Sequence, residues 1–202
     1  MARHPISKGV FCLECDWWGD ARRRYSMEYL LDLLDQMTPA RCRHIHYDVS
    51  TREEFFFLLK KWRQKRYRSH PLLYLGFHGK PGMVMLGAGK RAPRVTLEEI
   101  GEALAGKCNG RVILFGSCET IRAVPWQRRK FLDATQALAI CGYQREVDWM
   151  LSAAMDLIVL DAMEEFTFTL QGISATAERI RERSRGLGKA LGFRIYTRQG
   201  EA

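Results

Sequence analysis

The sequence predicts an α/β fold with a mostly parallel central sheet of about six strands and helices on both faces. Short, wholly apolar runs alternate along the chain with segments whose apolar residues recur at helical spacing. The composition, 47% hydrophobic and 27% charged over 202 residues, is that of an ordinary globular chain. Because this length suits a single hydrophobic core, we expect one domain spanning residues 1–202.

The first half of the chain divides into strands and helices by its apolar pattern. Strands are predicted at residues 9–15, 44–49 and 72–77. Between the first two, apolar residues from Met27 to Met37 recur at helical spacing until Pro39 ends the helix. Ser50 and Glu53 then stand three residues apart, a capping-box pattern that predicts the start of a helix ending in the basic run 60–68.

The second half continues the same alternation. Residues 83–86 are predicted to return as a short hairpin, and Thr96 with Glu99 forms a second capping box that opens a helix ending at Gly106. Further strands are predicted at residues 111–115, 137–142 and 193–196, and further helices at residues 125–133, 148–168 and 174–185.

Two neighbouring apolar strands lead into reactive side chains. His78 follows the third predicted strand, and Cys118 follows the fourth, one crossover helix later. Ligands of open α/β sheets bind beyond the carboxyl ends of the strands, so adjacent strands would bring the imidazole and the thiol together. Gly79 and Gly116 allow sharp turns, and the N–H groups of Gly79 and Cys118 could form an oxyanion hole. The pattern indicates a thiol hydrolase.

This order of residues resembles that of the caspase-like cysteine peptidases, especially the CHAT-type branch, with the separases as distant relatives. Residues 72–79 and 112–118 carry the match, and residues 139–148 are similar to the segment that follows the family's nucleophile. The resemblance implies a three-layer caspase-like sandwich that hydrolyses peptide bonds as a cysteine endopeptidase. It implies His78 as the general base, Cys118 as the nucleophile, and no metal or other cofactor. For bacterial members it also implies a protein substrate, a regulatory protein partner and roles that include phage defence.

The resemblance further implies which segments line the pocket for the residue before the cleaved bond. The loop after the first strand and the segment after the fifth offer Asp16, Asp20, Arg145, Glu146 and Asp148. An acidic lining would select Lys or Arg, whereas an inward Arg145 would select Asp or Glu, because a buried charge must be matched. We expect an acidic pocket with Asp148 as the first candidate and Glu119 as a further substrate contact. Asp148 is equally predicted as a helix N-cap.

A catalytically inactive interaction module of the same fold is the alternative. Glu119 directly follows Cys118, and a neighbouring carboxylate opposes thiolate formation. The formal charge of +9 permits an anionic partner, and residues 60–68 interleave aromatic and basic side chains as nucleic-acid surfaces do. Such a module would bind protein or nucleic acid through this basic face. A solvated helix face with a buried Trp62 explains the same run.

A metal site is not predicted from the cysteines and histidines. Cys12 and Cys15 form a CxxC motif close to Cys42, His44 and His46, but residues three apart on a strand point to opposite faces. Most of the six cysteines are expected to be buried thiols.

The location of the protein is also predicted from its apolar runs. No run approaches the roughly 20 residues of a membrane helix. Residues 1–8 are not followed by an apolar signal-peptide core. We therefore expect a cytoplasmic protein without membrane association.

Overall fold

The computed structural model describes residues 8–20, 22–23, 25–37 and 42–202. In chain order the strands are β1 (Val10–Glu14), β2 (His44–Asp48), β3 (Leu72–Gly76), β4 (His78–Lys80), β5 (Met83–Met85), β6 (Arg94–Thr96), β7 (Val112–Phe115), β8 (Ala139–Tyr143), β9 (Phe193–Thr197) and β10 (Gly200–Glu201). The helices are α1 (Glu28–Met37), α2 (Arg52–Trp62), α3 (Leu97–Ala103), α4 (Pro125–Thr135), α5 (Trp149–Glu165), α6 (Leu170–Ser184) and α7 (Leu187–Leu191). Pro39, the predicted stop of α1, lies outside the described residues.

A seven-stranded sheet in the order β10-β9-β8-β7-β3-β1-β2 forms the centre of the described residues. The pairings β2–β1, β1–β3, β3–β7 and β7–β8 are parallel, whereas β9 runs antiparallel to β8 and β10 antiparallel to β9. The mostly parallel sheet is therefore confirmed, as is the adjacency of the third and fourth predicted strands. The sheet has one strand more than expected, because two-residue β10 is too short to leave an apolar pattern.

Apolar layers cover both faces of the sheet. Phe11 and Leu73 pack into the layer that contains residues of α2, α3 and α4, whereas Val10 and Leu72 pack into the layer that contains residues of α1, α5 and α6. This follows from the alternation of side chains along a strand. Cys12 and Cys15 likewise lie in different layers, which confirms that the CxxC motif does not converge. All six cysteines are free, and Cys118 is the one that is not fully buried.

Helix starts agree with the sequence prediction in one case and differ in the other. Thr96 caps α3 in a complete capping box with Glu99, as predicted. The cap of α2 is Thr51, whose hydroxyl accepts from the backbone N–H of Glu54, so the expected Ser50–Glu53 box was wrong by one residue. The hydrogen bonds of the sheet explain the shift. The N–H of Val49 still donates to the carbonyl of Glu14, so Ser50 connects the strand to the helix and Thr51 becomes the cap.

The segment after β3 also differs from the prediction. His78 follows β3, as predicted, but it begins another strand, β4, which belongs to a separate three-stranded antiparallel sheet in the order β4-β5-β6. The predicted hairpin at residues 83–86 corresponds to β5, which pairs with β4. His78 and Gly79 are thus held by a hairpin that lies beyond the carboxyl end of the main sheet.

The basic run 60–68 contains the end of α2 and a buried anchor. The indole N–H of Trp62 donates to the carbonyl of His70, and the Arg111 guanidinium lies 4.6 Å from the Trp62 ring centroid. This confirms the buried Trp62 of the solvated-face interpretation. Among the described helices, none combines the length and the apolar character needed to cross a bilayer.

Candidate active site

A cavity of about 500 Å³ opens at the carboxyl end of the sheet and is lined by both His78 and Cys118. Its wall comes from the loop after β1, which contributes Trp17 and Trp18, and from the start of α5, which contributes Trp149. The two reactive side chains that the sequence singled out therefore share one concave site, as the switch between neighbouring parallel strands favours.

The β4 backbone touches the segment that carries the thiol. A Cβ atom on Gly79 would lie 2.0 Å from the carbonyl oxygen of Cys118 and 2.5 Å from the hydroxyl oxygen of Thr120. Real Cβ atoms do not approach a backbone oxygen so closely, so only glycine fits here. This close approach fixes the His78–Gly79 hairpin against Cys118.

One ring nitrogen of His78 is committed to the protein backbone. Nε2 lies 2.7 Å from the carbonyl oxygen of Trp17, and the two rings meet edge to face with centroids 5.5 Å apart. Because a carbonyl oxygen can only accept, Nε2 carries the hydrogen, and Nδ1 of the neutral ring keeps its lone pair. The imidazole is thereby prepared to accept a proton at Nδ1.

The Cys118 thiol is half-buried and bracketed by the backbone of Val147. Its Sγ lies 3.4 Å from the Val147 nitrogen, whose N–H donates to it, and 3.9 Å from the Val147 oxygen. Burial raises the pKa of the thiol above its ordinary value; the Val147 N–H opposes this, and the carboxylates of Glu146 and Glu119 add to it. The resting group at neutral pH is therefore a thiol, which would need a neighbouring base to act as a nucleophile.

Of the acidic candidates, Asp148 is the one that lines the cavity. Its exposed side chain also caps α5, because Oδ1 accepts from the N–H of Leu151 at 3.0 Å. Asp16 instead accepts from the N–H groups of Trp18 and Gly19, both at 3.1 Å. The N-cap role of Asp148 is therefore confirmed, and the same residue stands at the mouth of the cavity.

The remaining charged candidates lie elsewhere. Glu119 pairs with Arg122 at 2.6 Å and lines a separate shallow depression together with Glu146. Arg145 lines that depression too and donates to the carbonyl of Ala190, so it does not face the cavity. Asp20 pairs with Arg22 at 3.0 Å.

Asp156 is a cavity residue that the sequence analysis missed as a site. It lies on α5, lines the cavity and is almost wholly buried. Tyr74 donates to its Oδ2 and Tyr143 to its Oδ1, each at 2.7 Å. Burial raises the pKa of Asp156 to about 7, and the two hydroxyls oppose the rise. No pattern in the sequence marks this role, because α5 carries four carboxylates, at Asp156, Asp161, Glu164 and Glu165.

A group with metal-ligand geometry within the described residues is Glu14, His46 and Asp48, whose ligand atoms lie within 4.8 Å of one another. It differs from the cysteine-containing set considered from sequence and shares only His46 with it. The Glu14 carboxylate already accepts hydrogen bonds from protein donors, among them His46 at 2.6 Å. Glu14 and its donors therefore form an internal hydrogen-bond network.

The fold and the cavity together define the class of structure. A mostly parallel sheet with helices on both faces and a site at its carboxyl edge is the caspase-like fold that the sequence resemblance implied. The structure is similar to the X-ray structure of a secreted C11 cysteine protease from Bacteroides thetaiotaomicron in complex with an irreversible peptide inhibitor, with a TM-score of 0.57 and 12% identity. The match covers 96% of this chain and 66% of that chain, just under two thirds of the relative.

The chain belongs to the family of unknown function DUF6642, which it matches over residues 7–197. No match was found among the curated proteins. The family therefore gives no activity, and at 12% identity the structural likeness shows the fold alone.

Proposed function

We propose that the protein is a cysteine endopeptidase of caspase-like type, with Cys118 as nucleophile and His78 as general base. The observation that carries the proposal is that both side chains line one cavity while Gly79 packs against the Cys118 carbonyl. The structural likeness to a cysteine protease supports the same class.

The proposed reaction follows from the positions of the hydrogen atoms. Cys118 Sγ attacks the carbonyl carbon of the peptide bond while His78 Nδ1 takes the thiol proton. The N–H groups of Gly79 and Cys118 stabilise the tetrahedral oxyanion. Collapse breaks the C–N bond, and the amine leaves with the proton from His78. Water, deprotonated by the same imidazole, then hydrolyses the thioester and restores the thiol.

The inactive interaction module remains the second candidate, and the raised pKa of Cys118 favours it. The protease and the inactive module differ in whether a general base acts on Cys118, because a thiol that is not ionised at rest reacts only when a neighbour removes its proton. In the protease, His78 does so during attack, and the N–H of Val147 stabilises the developing thiolate.

Substitution of the two central residues tests this choice. We expect Cys118→Ala and His78→Ala each to abolish cleavage of a peptide library by folded protein. The other five cysteines are buried, so alkylation of native protein reports on Cys118; it should disappear in Cys118→Ala and slow in His78→Ala. Cleavage that persists in folded Cys118→Ala would refute the proposal. A wild type that cleaves nothing, with alkylation unaffected by His78→Ala, would favour the inactive module.

Asp148 is proposed as the acid that selects Lys or Arg before the cleaved bond. Asparagine also caps helices, so Asp148→Asn should keep α5 intact while removing the charge. We expect kcat/KM for Lys and Arg peptides to fall about tenfold relative to neutral peptides. Asp16→Asn is the matched control, because Asp16 is an exposed acid outside the cavity. Equal loss for neutral and cationic peptides would contradict this role.

The wider setting belongs to the proposal and rests on the sequence. A CHAT-type relationship, a bacterial origin, a role in phage defence and a regulatory protein partner follow from the resemblance alone, and the cytoplasmic location stays a prediction from the apolar runs of the sequence. Organisation as one domain and binding of nucleic acid through residues 60–68 also stay predictions.

A further inference from the structure

We propose that Glu14 is a positioning residue for His78 and that it acts through Trp17. The inference rests on the proposed function, since it concerns the residue assigned there as general base. It assigns a use to a buried carboxylate that takes no part in the proposed reaction.

Glu14 ends β1 as a completely buried carboxylate surrounded by donors. These donors are the indole Nε1 of Trp17 at 2.9 Å, the hydroxyl of Ser26 at 2.5 Å, the backbone N–H of Met27 at 3.1 Å and Nε2 of His46 at 2.6 Å. Burial alone would raise the pKa of Glu14, but these hydrogen bonds outweigh it and hold the pKa below the ordinary value. The group is therefore an anion with defined partners.

His46 supplies the countercharge for this anion. It contacts Glu14 through Nε2, and its Nδ1 lies 3.6 Å from Glu28. Burial lowers the pKa of His46, but the hydrogen bond and charge of Glu14, aided by Glu28 and Asp48, raise it above the ordinary value. A paired charge of this kind has a fixed orientation, because moving either partner leaves the other buried and unmatched.

Trp17 connects this network to the active site. Its indole N–H is held by Glu14, while its carbonyl accepts from His78 Nε2 at 2.7 Å and its ring meets the His78 ring edge to face. Trp17 lies only two residues beyond the sheet, since the backbone N–H of Cys15 still donates to the carbonyl of Gly76 in β3. Trp17 is thus held at two points. Glu14 anchors its indole, and its backbone carbonyl contacts and orients His78.

The consequence concerns which nitrogen of His78 carries the hydrogen. The Trp17 carbonyl selects the Nε2–H form and leaves Nδ1 as the proton acceptor. When the indole loses its anchor, the carbonyl is released from this geometry and the imidazole is free to adopt the other tautomer. Hydrogen-bond partners that orient metal-bound histidines change activity about tenfold to a hundredfold when removed, and we expect an effect of the same order at His78.

Imidazole nitrogen NMR of the full chain, labelled with ¹⁵N-histidine, measures this tautomer directly. We expect His78 in the wild type to report the Nε2–H form. Glu14→Gln and Trp17→Phe should both shift it toward a mixture and lower kcat by about tenfold or more, with KM little changed. Trp17→Phe keeps a ring and the backbone carbonyl but removes the indole donor. It carries the test if Glu14→Gln fails to fold.

Glu28→Gln is the matched control, because Glu28 contacts His46 from the exposed side and lies outside the cavity. We expect it to leave the His78 tautomer and kcat unchanged. An unchanged tautomer in folded Trp17→Phe would overturn the inference and leave the proposed protease standing. A shifted tautomer in a protein that cleaves no peptide would support the coupling of Glu14 to His78 and refute the proposed function.

Discussion

Gly79→Ala is expected to lower the rate of the proposed peptide hydrolysis about a hundredfold, because it displaces Cys118, the proposed nucleophile, without altering either reactive side chain. The added Cβ would lie 2.0 Å from the Cys118 carbonyl oxygen, a backbone atom that cannot rotate away. Either β4 or the Cys118 segment must shift by more than an ångström. A displacement of that size removes the alignment of the thiol, the imidazole and the proposed oxyanion donors on which the reaction depends.

The measurement is kcat/KM for a cleaved peptide together with urea unfolding, and Gly101→Ala is the control. Overpacking at Gly79 should cost about 1–3 kcal/mol of the free energy of unfolding. A Cβ on Gly101, inside α3, meets only the Phe131 ring at 3.4 Å, an ordinary contact. Inside a helix, alanine is more favourable than glycine by about 1 kcal/mol of folding free energy. Gly101→Ala should therefore leave stability unchanged or increase it, and should keep full activity. A Gly79→Ala protein with wild-type activity would show that the hairpin does not position the site.

The sequence predicted those parts of the site that depend on strand order. His78 and Cys118 could be found because each follows a buried apolar run, and neighbouring parallel strands bring their carboxyl ends together whatever the loops do. The sequence did not predict that His78, two residues beyond the end of β3, begins a further strand, β4. It depends on pairing with β5, which leaves only a short apolar pattern of its own.

The Trp17 carbonyl and the Glu14 carboxylate, which orient His78, could not be predicted from the sequence for a different reason. The Trp17 carbonyl is a backbone atom, so no residue type marks it as the partner of His78. Glu14 lies inside an apolar run and gains its donors from residues up to 32 positions away, which only the folded chain brings together. Polar partners of this kind are specified by tertiary packing, and local periodicity carries no trace of them.

Asp156 is expected to make the stability of the protein fall as pH rises toward neutrality. Its pKa is about 7 in the folded protein against an ordinary value of 3.8, so the folded state holds this proton more tightly than the unfolded state does. The stabilising effect of the proton is complete below about pH 4 and is lost as pH rises to about 7. A shift of this size corresponds to about 4 kcal/mol, a large part of a typical free energy of unfolding.

Asp156→Asn isolates this effect, because an amide fits between Tyr74 and Tyr143 and stays neutral at every pH. Urea unfolding of wild type and variant at about pH 5 and about pH 8 should show the variant gaining stability relative to wild type at the higher pH. Tyr143→Phe removes one donor that opposes the raised pKa, so the loss of stability should extend to higher pH. The other groups that titrate between these two pH values are common to all three proteins, so their contributions cancel in the differences. Parallel pH profiles for wild type and Asp156→Asn would mean that Asp156 stays ionised in the fold, with the two tyrosine hydroxyls outweighing its burial.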